Sequence, residues 1–416
     1  MTGKFDLALK YKGSEYTVWA EFIELAAKYH PLNLGQGFAD FAAPGHVTRC
    51  LADVALSDDQ PLLQQYSRGY GHVRLVSALS KIYSPLVGRE LDSRKELITT
   101  AGAYEALFCA IFGHVNPGDE VILIEPFFDC YEPMVRAAGG KPVCIPLRPV
   151  ETIGSVSSKD WKLNFEELES AFTKSTKLFI LNTPHNPTGK VFTADELENI
   201  AFLCKKWNVL LLADEVYEWM VYQPAKHIRM CTLPGMWERT ITVGSAGKTF
   251  SVTGWKIGWA YGPENLVKNM QVVHQNNVNS VNTVAQEAVA RSLEYELARI
   301  DSPDCYLVSL ARDLKGKRDI LVKTIMETGM VPTIPEGGYF MLVDWSPLAY
   351  KVKLDDEPDT HKDFKFAKWM TKNVKIQGIP PSAFYSFPHK ELGGNYVRYC
   401  FIKVSFIRAI RVGLNW

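Results

Sequence analysis

Three segments of the chain place reactive side chains where such side chains are unusual. SAGKTFSVTGWKIGWAYGP, residues 245 to 263, sets Lys248 and Lys256 among small residues and glycines. An ammonium group is costly to bury and lysines ordinarily stay at the surface, so Lys248 between Gly247 and Thr249 at a strand's end invites a chemical explanation. ADEVYE, residues 213 to 218, places Asp214, Glu215 and Tyr217 directly after the apolar run VLLL. Carboxylates at the end of a buried strand need partners or a function. In NTPHNPTGK, residues 182 to 190, two prolines bracket His185 and Asn186 straight after another apolar strand. Asn and Pro are common in turns, so this segment carries weight only beside the other two.

The elements that must position these residues follow one rhythm from about residue 96: a short apolar run, a turn, then a helical pattern. ELITT, EVILIEP, KPVCIPL, KLFILNTP, NVLLLADE, TITVGSA and KIGWAYGP are predicted strands. They lack polar alternation and therefore read as buried on both faces, as in a mostly parallel α/β sheet. TADELENIAFLCKKW opens with Thr193 and Glu196 at capping-box spacing and continues with helical periodicity. Parallel crossovers collect loops and ligands at one edge of such a sheet, the edge where the unusual polar residues fall. Beyond about residue 300 a charged helix is predicted around 308 to 328, then strands near GGYFMLVDW and YVRYCFI, a smaller α+β pattern. Another helix is predicted at VWAEFIELAAKY, ahead of the Gly-rich LNLGQGFADF.

Composition narrows the function classes. The 416 residues suit two domains, and 47% apolar with 22% charged residues is globular composition. Lys plus Arg equals Asp plus Glu at 46 each, so no long-range field favours nucleic acid or an anionic membrane. The apolar runs are far shorter than the roughly 20 residues that span a bilayer. The opening MTGKFDLALKYKGSEY has neither an apolar signal core nor an Arg/Ser-rich amphipathic stretch, so a cytoplasmic protein is expected, with mitochondria as the alternative. Cysteines at 50, 109, 130, 144, 204, 231, 305 and 400 show no CxxC pair or metal-ligand spacing and are expected to be reduced and mostly buried.

With these segments in place, the chain resembles the fold-type-I aminotransferases that depend on pyridoxal 5′-phosphate, and within them the kynurenine aminotransferase, glutamine transaminase K and cysteine-conjugate β-lyase family. LNLGQGF, QYSRGYGH, IEPFFDCYEPM, NTPHNPTGK, DEVYE, SAGKTFSVTGWKIGW, GGYF and VRYCF occur in family order between about residues 5 and 403. The resemblance implies an α/β fold-type-I transferase: a large domain over 47–300 with a mostly parallel seven-stranded sheet, and a small α+β domain over 301–416. Residues 1–46 would form an N-terminal arm and part of the small domain.

It also implies roles for residues. Lys248 matches the lysine that bonds to the cofactor's aldehyde and then shuttles the proton, and Asp214 the partner of its pyridine nitrogen. A carboxylate there keeps the ring protonated and electron-accepting. Asn186 and Tyr217 match the groups that hydrogen-bond the phenolic oxygen. Ala103 and Tyr104 match the amides of a helix N-terminus that receives the phosphate, helped by Ser245 and Lys256. Tyr66 matches a phosphate ligand from the neighbouring subunit, which implies a homodimer with shared active sites. Phe128 matches the ring stacked on the cofactor, although FF after a strand is commonly plain core. Arg398 matches the fork that grips the α-carboxylate. Trp19 and Gly37 match the substrate pocket wall and its backbone contact, and Asn186 should also touch the carboxylate. No metal is implied.

Two departures from the family pattern bear on substrate and stability. Related enzymes often follow QN-x-V with an aromatic and then a His or other polar residue, whereas QNNVNS puts Asn279 and Ser280 there. Polar side chains would favour glutamine-like substrates or leave the pocket loose. The second departure is VSFIRAIRVGLNW, residues 404 to 416, where the family has a charged amphipathic helix. Val404 and Ser405 are what a splice-donor-like triplet pair encodes, so intron read-through or an alternative last exon is expected. A tail with so few charges is expected to dock poorly. The expected activity is transfer of the amino group of kynurenine, glutamine or a related amino acid to a 2-oxo acid. The alternatives are β-elimination from cysteine conjugates and a cofactor-binding homologue with little turnover.

Overall fold

All seven apolar runs form strands of one sheet in the computed structural model, which describes residues 4 to 150 and 156 to 411. They are β1 (Leu97–Thr100), β2 (Glu120–Glu125), β3 (Lys141–Pro146), β4 (Thr176–Asn182), β5 (Leu210–Asp214), β6 (Thr240–Ser245) and β7 (Gly258–Tyr261), in the spatial order β1-β7-β6-β5-β4-β2-β3. Six strands run parallel to one another, while β7 runs antiparallel to both its neighbours. That reversal has a consequence for the site. The start of β7, and Lys256 just before it, comes to the edge where the other strands end. Helices cover both faces: Ala103–His114 packs on β7, while Ala194–Trp207 shares a buried apolar cluster with β4 and β5. The latter helix begins in the expected capping box, Thr193 and Glu196 each accepting from the other's backbone, and ends at Asn208 in the left-handed region.

The second sheet contains β8 (Val331–Ile334), β9 (Phe340–Asp344) and β10 (Tyr396–Cys400), extended by Val156–Ser157 beside β8. The long helix Tyr306–Thr328 packs on β8. Leu32–Asn33 pairs with Ile376–Gln377, and Cys400 donates its amide to the Leu34 carbonyl at 2.7 Å, so the N-terminal and C-terminal segments share a face. Among the described residues no helix is long and apolar enough to cross a membrane. All eight cysteines are free, six of them buried.

The tail corrects the sequence expectation. Ser405–Arg411 is a helix, and Phe406 is fully buried in the main core. Asp40 caps its start, accepting from the Val404 amide at 2.5 Å and the Ser405 amide at 3.0 Å, which satisfies donors that a helix N-terminus otherwise leaves free. Few charges were needed because the apolar face turns inward rather than to water. Residues 412 to 416 lie outside the described residues. Phe406→Ala is expected to destabilise the protein by about 3–5 kcal/mol in urea unfolding, the range for emptying a buried aromatic site. A loss below about 1 kcal/mol would show that the helix contributes no packing.

Candidate active site

The ends of β4, β5 and β6 stand side by side, because Asn182 is the register partner of Asp214 and Asp214 that of Val243. A cleft of ≈ 320 Å³ lies over them. Every residue expected to form the site lines this cleft except Tyr66. Tyr66 lies elsewhere on the chain and is 89% exposed.

The cleft floor holds an amine and a carboxylate. The Lys248 ammonium donates to the Tyr339 hydroxyl at 2.6 Å, and that hydroxyl donates to the Gly37 carbonyl at 2.9 Å. Burial pulls the Lys248 pKa down from 10.5 to about 8; Cys400 and Asp214 oppose the shift, and the positive charges of Lys256 and Arg398 add to it. Lys248 is therefore mostly protonated at pH 7, yet its free-amine fraction there is far larger than an ordinary lysine's. Asp214 is buried and receives the Tyr131 hydroxyl at 2.5 Å. Burial raises its carboxyl from 3.8 to about 6, against the bonds from Tyr131 and the Val216 amide. Among the described residues its donors are the neutral Tyr131 and Val216, so it suits a protonated ring nitrogen.

One wall is an anion cup. Ala103 and Tyr104 open the helix Ala103–His114, whose first amides point into the cleft beside Ser245 and Lys256. Two glycines make the turn possible. Gly102 has φ +80°, and a Cβ on Gly258 would lie 2.4 Å from the Gly102 carbonyl carbon and 2.5 Å from the Ala103 nitrogen. A side chain at either position would displace the helix start or the strand. The donor set of amides, a hydroxyl and an ammonium fits a phosphate dianion.

The opposite wall is a carboxylate receptor. Arg398 on β10 is 1% exposed, and its guanidinium donates to the Asn186 side-chain oxygen at 3.1 Å and the Gly35 carbonyl at 2.8 Å. Its Nε has no protein partner, and the rings of Phe340, Phe384 and Trp19 surround it at 4.1, 4.9 and 5.2 Å. Burial lowers its pKa from 12.5 to about 10 and leaves it charged. A buried guanidinium bonded only to neutral oxygens is suited to pair with a carboxylate. Asn186 is held in turn through Asn182, which accepts the Asn186 amide at 2.7 Å and donates to the Asp214 carbonyl at 2.8 Å.

Sequence reading assigned no role to four residues that organise the site. Tyr339 holds Lys248, Tyr131 holds Asp214, Asn182 holds Asn186, and Asp129 accepts the Trp19 indole at 2.6 Å. All four lie inside quoted motifs, yet no local pattern pairs them with their partners. Asn279 is exposed and its carbonyl lies close to Gly69.

Comparison with known proteins agrees with this geometry. The model of the family "Aminotransferase class I and II" matches residues 29–403. The chain is 49% identical over 404 residues to kynurenine–oxoglutarate transaminase 3 of Homo sapiens, covering 97% of this chain and 88% of that protein. It is 43% identical over 401 residues to kynurenine–oxoglutarate transaminase 1 of Homo sapiens, covering 95% and 94%. The solved structure of N-succinyldiaminopimelate aminotransferase from Mycobacterium tuberculosis superimposes with a TM-score of 0.87 at 33% identity, over 98% of both chains.

Proposed function

We propose that this chain, which belongs to the class I and II aminotransferase family, uses pyridoxal 5′-phosphate to move the amino group of kynurenine, glutamine or a related amino acid to a 2-oxo acid. The observation that carries this reading is one cleft that combines a buried lysine of lowered pKa, a buried carboxylate held by neutral donors, a helix N-terminus beside a serine and a lysine, and a buried arginine. When bound, the cofactor supplies an aldehyde for the amine and a protonated ring that draws electrons from the substrate Cα.

In this reading Lys248 would be the amine that holds the aldehyde and the base that moves the proton at the substrate Cα. Asp214 pairs with the ring nitrogen, with Tyr131 fixing the carboxylate. Asn186 and Tyr217 donate to the phenolic oxygen, and Phe128 packs on the ring face. The Ala103 and Tyr104 amides, Ser245 and Lys256 hold the phosphate. Arg398 binds the α-carboxylate, aided by Asn186, with Trp19 and the Gly37 backbone completing the pocket. Tyr66 does not line its own cleft and is exposed, which suits a role in a partner's cleft within a homodimer. A mixture of Tyr66→Ala and Lys248→Ala proteins is then expected to regain up to about a quarter of wild-type activity through hybrid dimers that hold one intact site. Activity no higher than that of either parent would remove the shared-site reading.

Half-reactions with single amino acids test the donor preference, read as oxo acid formed and loss of cofactor absorbance. Pyruvate with ammonia from a cysteine conjugate would signal elimination, a reading the transaminase names of the relatives do not favour. Arg398→Ala is expected to raise the KM of donor and acceptor together by about 10- to 100-fold, because both bring an α-carboxylate to one socket. A change confined to one of them would place the carboxylate elsewhere. Eight free thiols suit a reducing compartment such as the cytoplasm.

A further inference from the structure

The Trp19–Asp129 pair separates the reaction cleft from a second cavity of ≈ 810 Å³, bounded by the arm residues 11 to 18 and the segment around 127 to 137. Tyr104 lines both spaces. With the α-carboxylate on Arg398 and Cα toward Lys248, the floor is closed by Asp214. The side chain of a bound amino acid must therefore leave past Trp19, Tyr104 and Asp129.

Asp129 is the carboxylate that faces Arg398 across the indole, and its bond to Trp19 Nε1 at 2.6 Å fixes where the charge sits. Burial raises its carboxyl, while the Trp19 bond and the Arg398 charge favour the anion. Of the cations that line the outer cavity, Arg136 is engaged by Glu132 at 2.6 Å and Lys390 by the Ser382 carbonyl at 3.1 Å, while Lys12 is solvent-exposed, where water screens its charge.

Resting on the aminotransferase reading, we propose that Asp129 determines side-chain charge preference, rejecting a second carboxylate and accepting neutral side chains that donate N–H, such as an amide or an aryl amine. It acts on the side chain directly and on the α-carboxylate by positioning Trp19. By microscopic reversibility the bias extends to the acceptor. 2-Oxoglutarate is used, at lower kcat/KM than a monocarboxylic 2-oxo acid of equal length.

The test has two readouts on the full-length protein. In the cofactor-free form, tryptophan fluorescence titration with pentanoate and with glutarate compares one carboxylate with two at equal length. Wild type is expected to bind pentanoate more tightly, by on the order of tenfold, the effect of one nearby charge in a partly solvated site. Equal affinities in wild type overturn the proposal without any variant. In the holoenzyme, Asp129→Asn is expected to lower kcat/KM for glutamine a few-fold and to raise the glutamate-to-glutamine ratio by on the order of tenfold or more. Asp129→Glu restores the wild-type ratio. If Asp129→Asn and Asp129→Ala shift glutamine and glutamate by the same factor, Asp129 does no more than hold Trp19 and the proposal fails. Should no amino acid convert the wild-type cofactor, the aminotransferase reading fails instead, and the fluorescence comparison still decides the role of Asp129.

Discussion

Lys248→Ala is expected to fold, to keep pyridoxal 5′-phosphate through the phosphate cup and Asp214, and to lose activity by on the order of 10⁴-fold or more. With the α-carboxylate on Arg398, Lys248 is the amine on the cleft floor positioned to take the substrate's Cα proton. Tyr339 donates to Gly37 and cannot replace it. Single-turnover kinetics with a neutral amino acid would measure the loss, and wild-type rates in the variant would end the assignment. The same amine carries a pH signature. With its pKa pulled down to about 8, Lys248 is protonated below that pH and free above it. An ordinary lysine would be only about 1 part in 300 free amine at pH 8. Reaction of the cofactor-free wild type with a simple aldehyde should therefore rise with pH and be half-maximal near 8. A midpoint near that of a free lysine would show that burial does not act on it.

Asp214→Ala is expected to weaken cofactor retention and to reduce turnover by several powers of ten, each power being about 1.4 kcal/mol of barrier. The wild-type carboxylate sits at the closed end of the cleft with Tyr131 as its side-chain donor, so removal leaves nothing to hold a ring proton. The sign of the pH effect follows from the raised pKa of about 6 in the cofactor-free chain. Above it the anion is available to a protonated ring nitrogen, and below it the carboxyl is neutral and the ion pair is lost. Cofactor affinity in wild type should fall as pH drops below about 6, and Asp214→Ala should not show that fall. Equilibrium dialysis across that range gives both numbers. Full occupancy with near-normal turnover in the variant would count against the pyridinium role.

Much of the scaffold was legible along the chain because the physics there is local. Runs such as VILIE and VLLLAD are apolar without alternation and short, bounded by turn residues, as strands covered on both faces are, and all of them entered one sheet. Thr193 with Glu196 announced a helix start because the capping box is made within four residues. Lys248 and Asp214 stood out because ionisable groups next to buried strands are expensive, and that expense is visible in composition alone.

Tertiary structure decided what depends on contacts between distant residues. Asp40 caps a helix more than 360 residues later, and Phe406 fills the core; composition made the tail look exposed because no local pattern shows which way an apolar face turns. Tyr131 reaches Asp214 and Tyr339 reaches Lys248 across separate elements, so their roles exist only once the sheet edges and β9 meet. The sequence by itself determined the fold class through periodicity and the family through its ordered motifs, and the cost of burying charge marked the two ionisable groups that fall on the cleft floor. Only the folded chain determined which way those groups' pKa values shift, that Arg398 forms no ion pair among the described residues, and that Asp129 bonds Trp19 beside the cleft. Burial and long-range hydrogen bonds set those properties, and neither is a property of a segment.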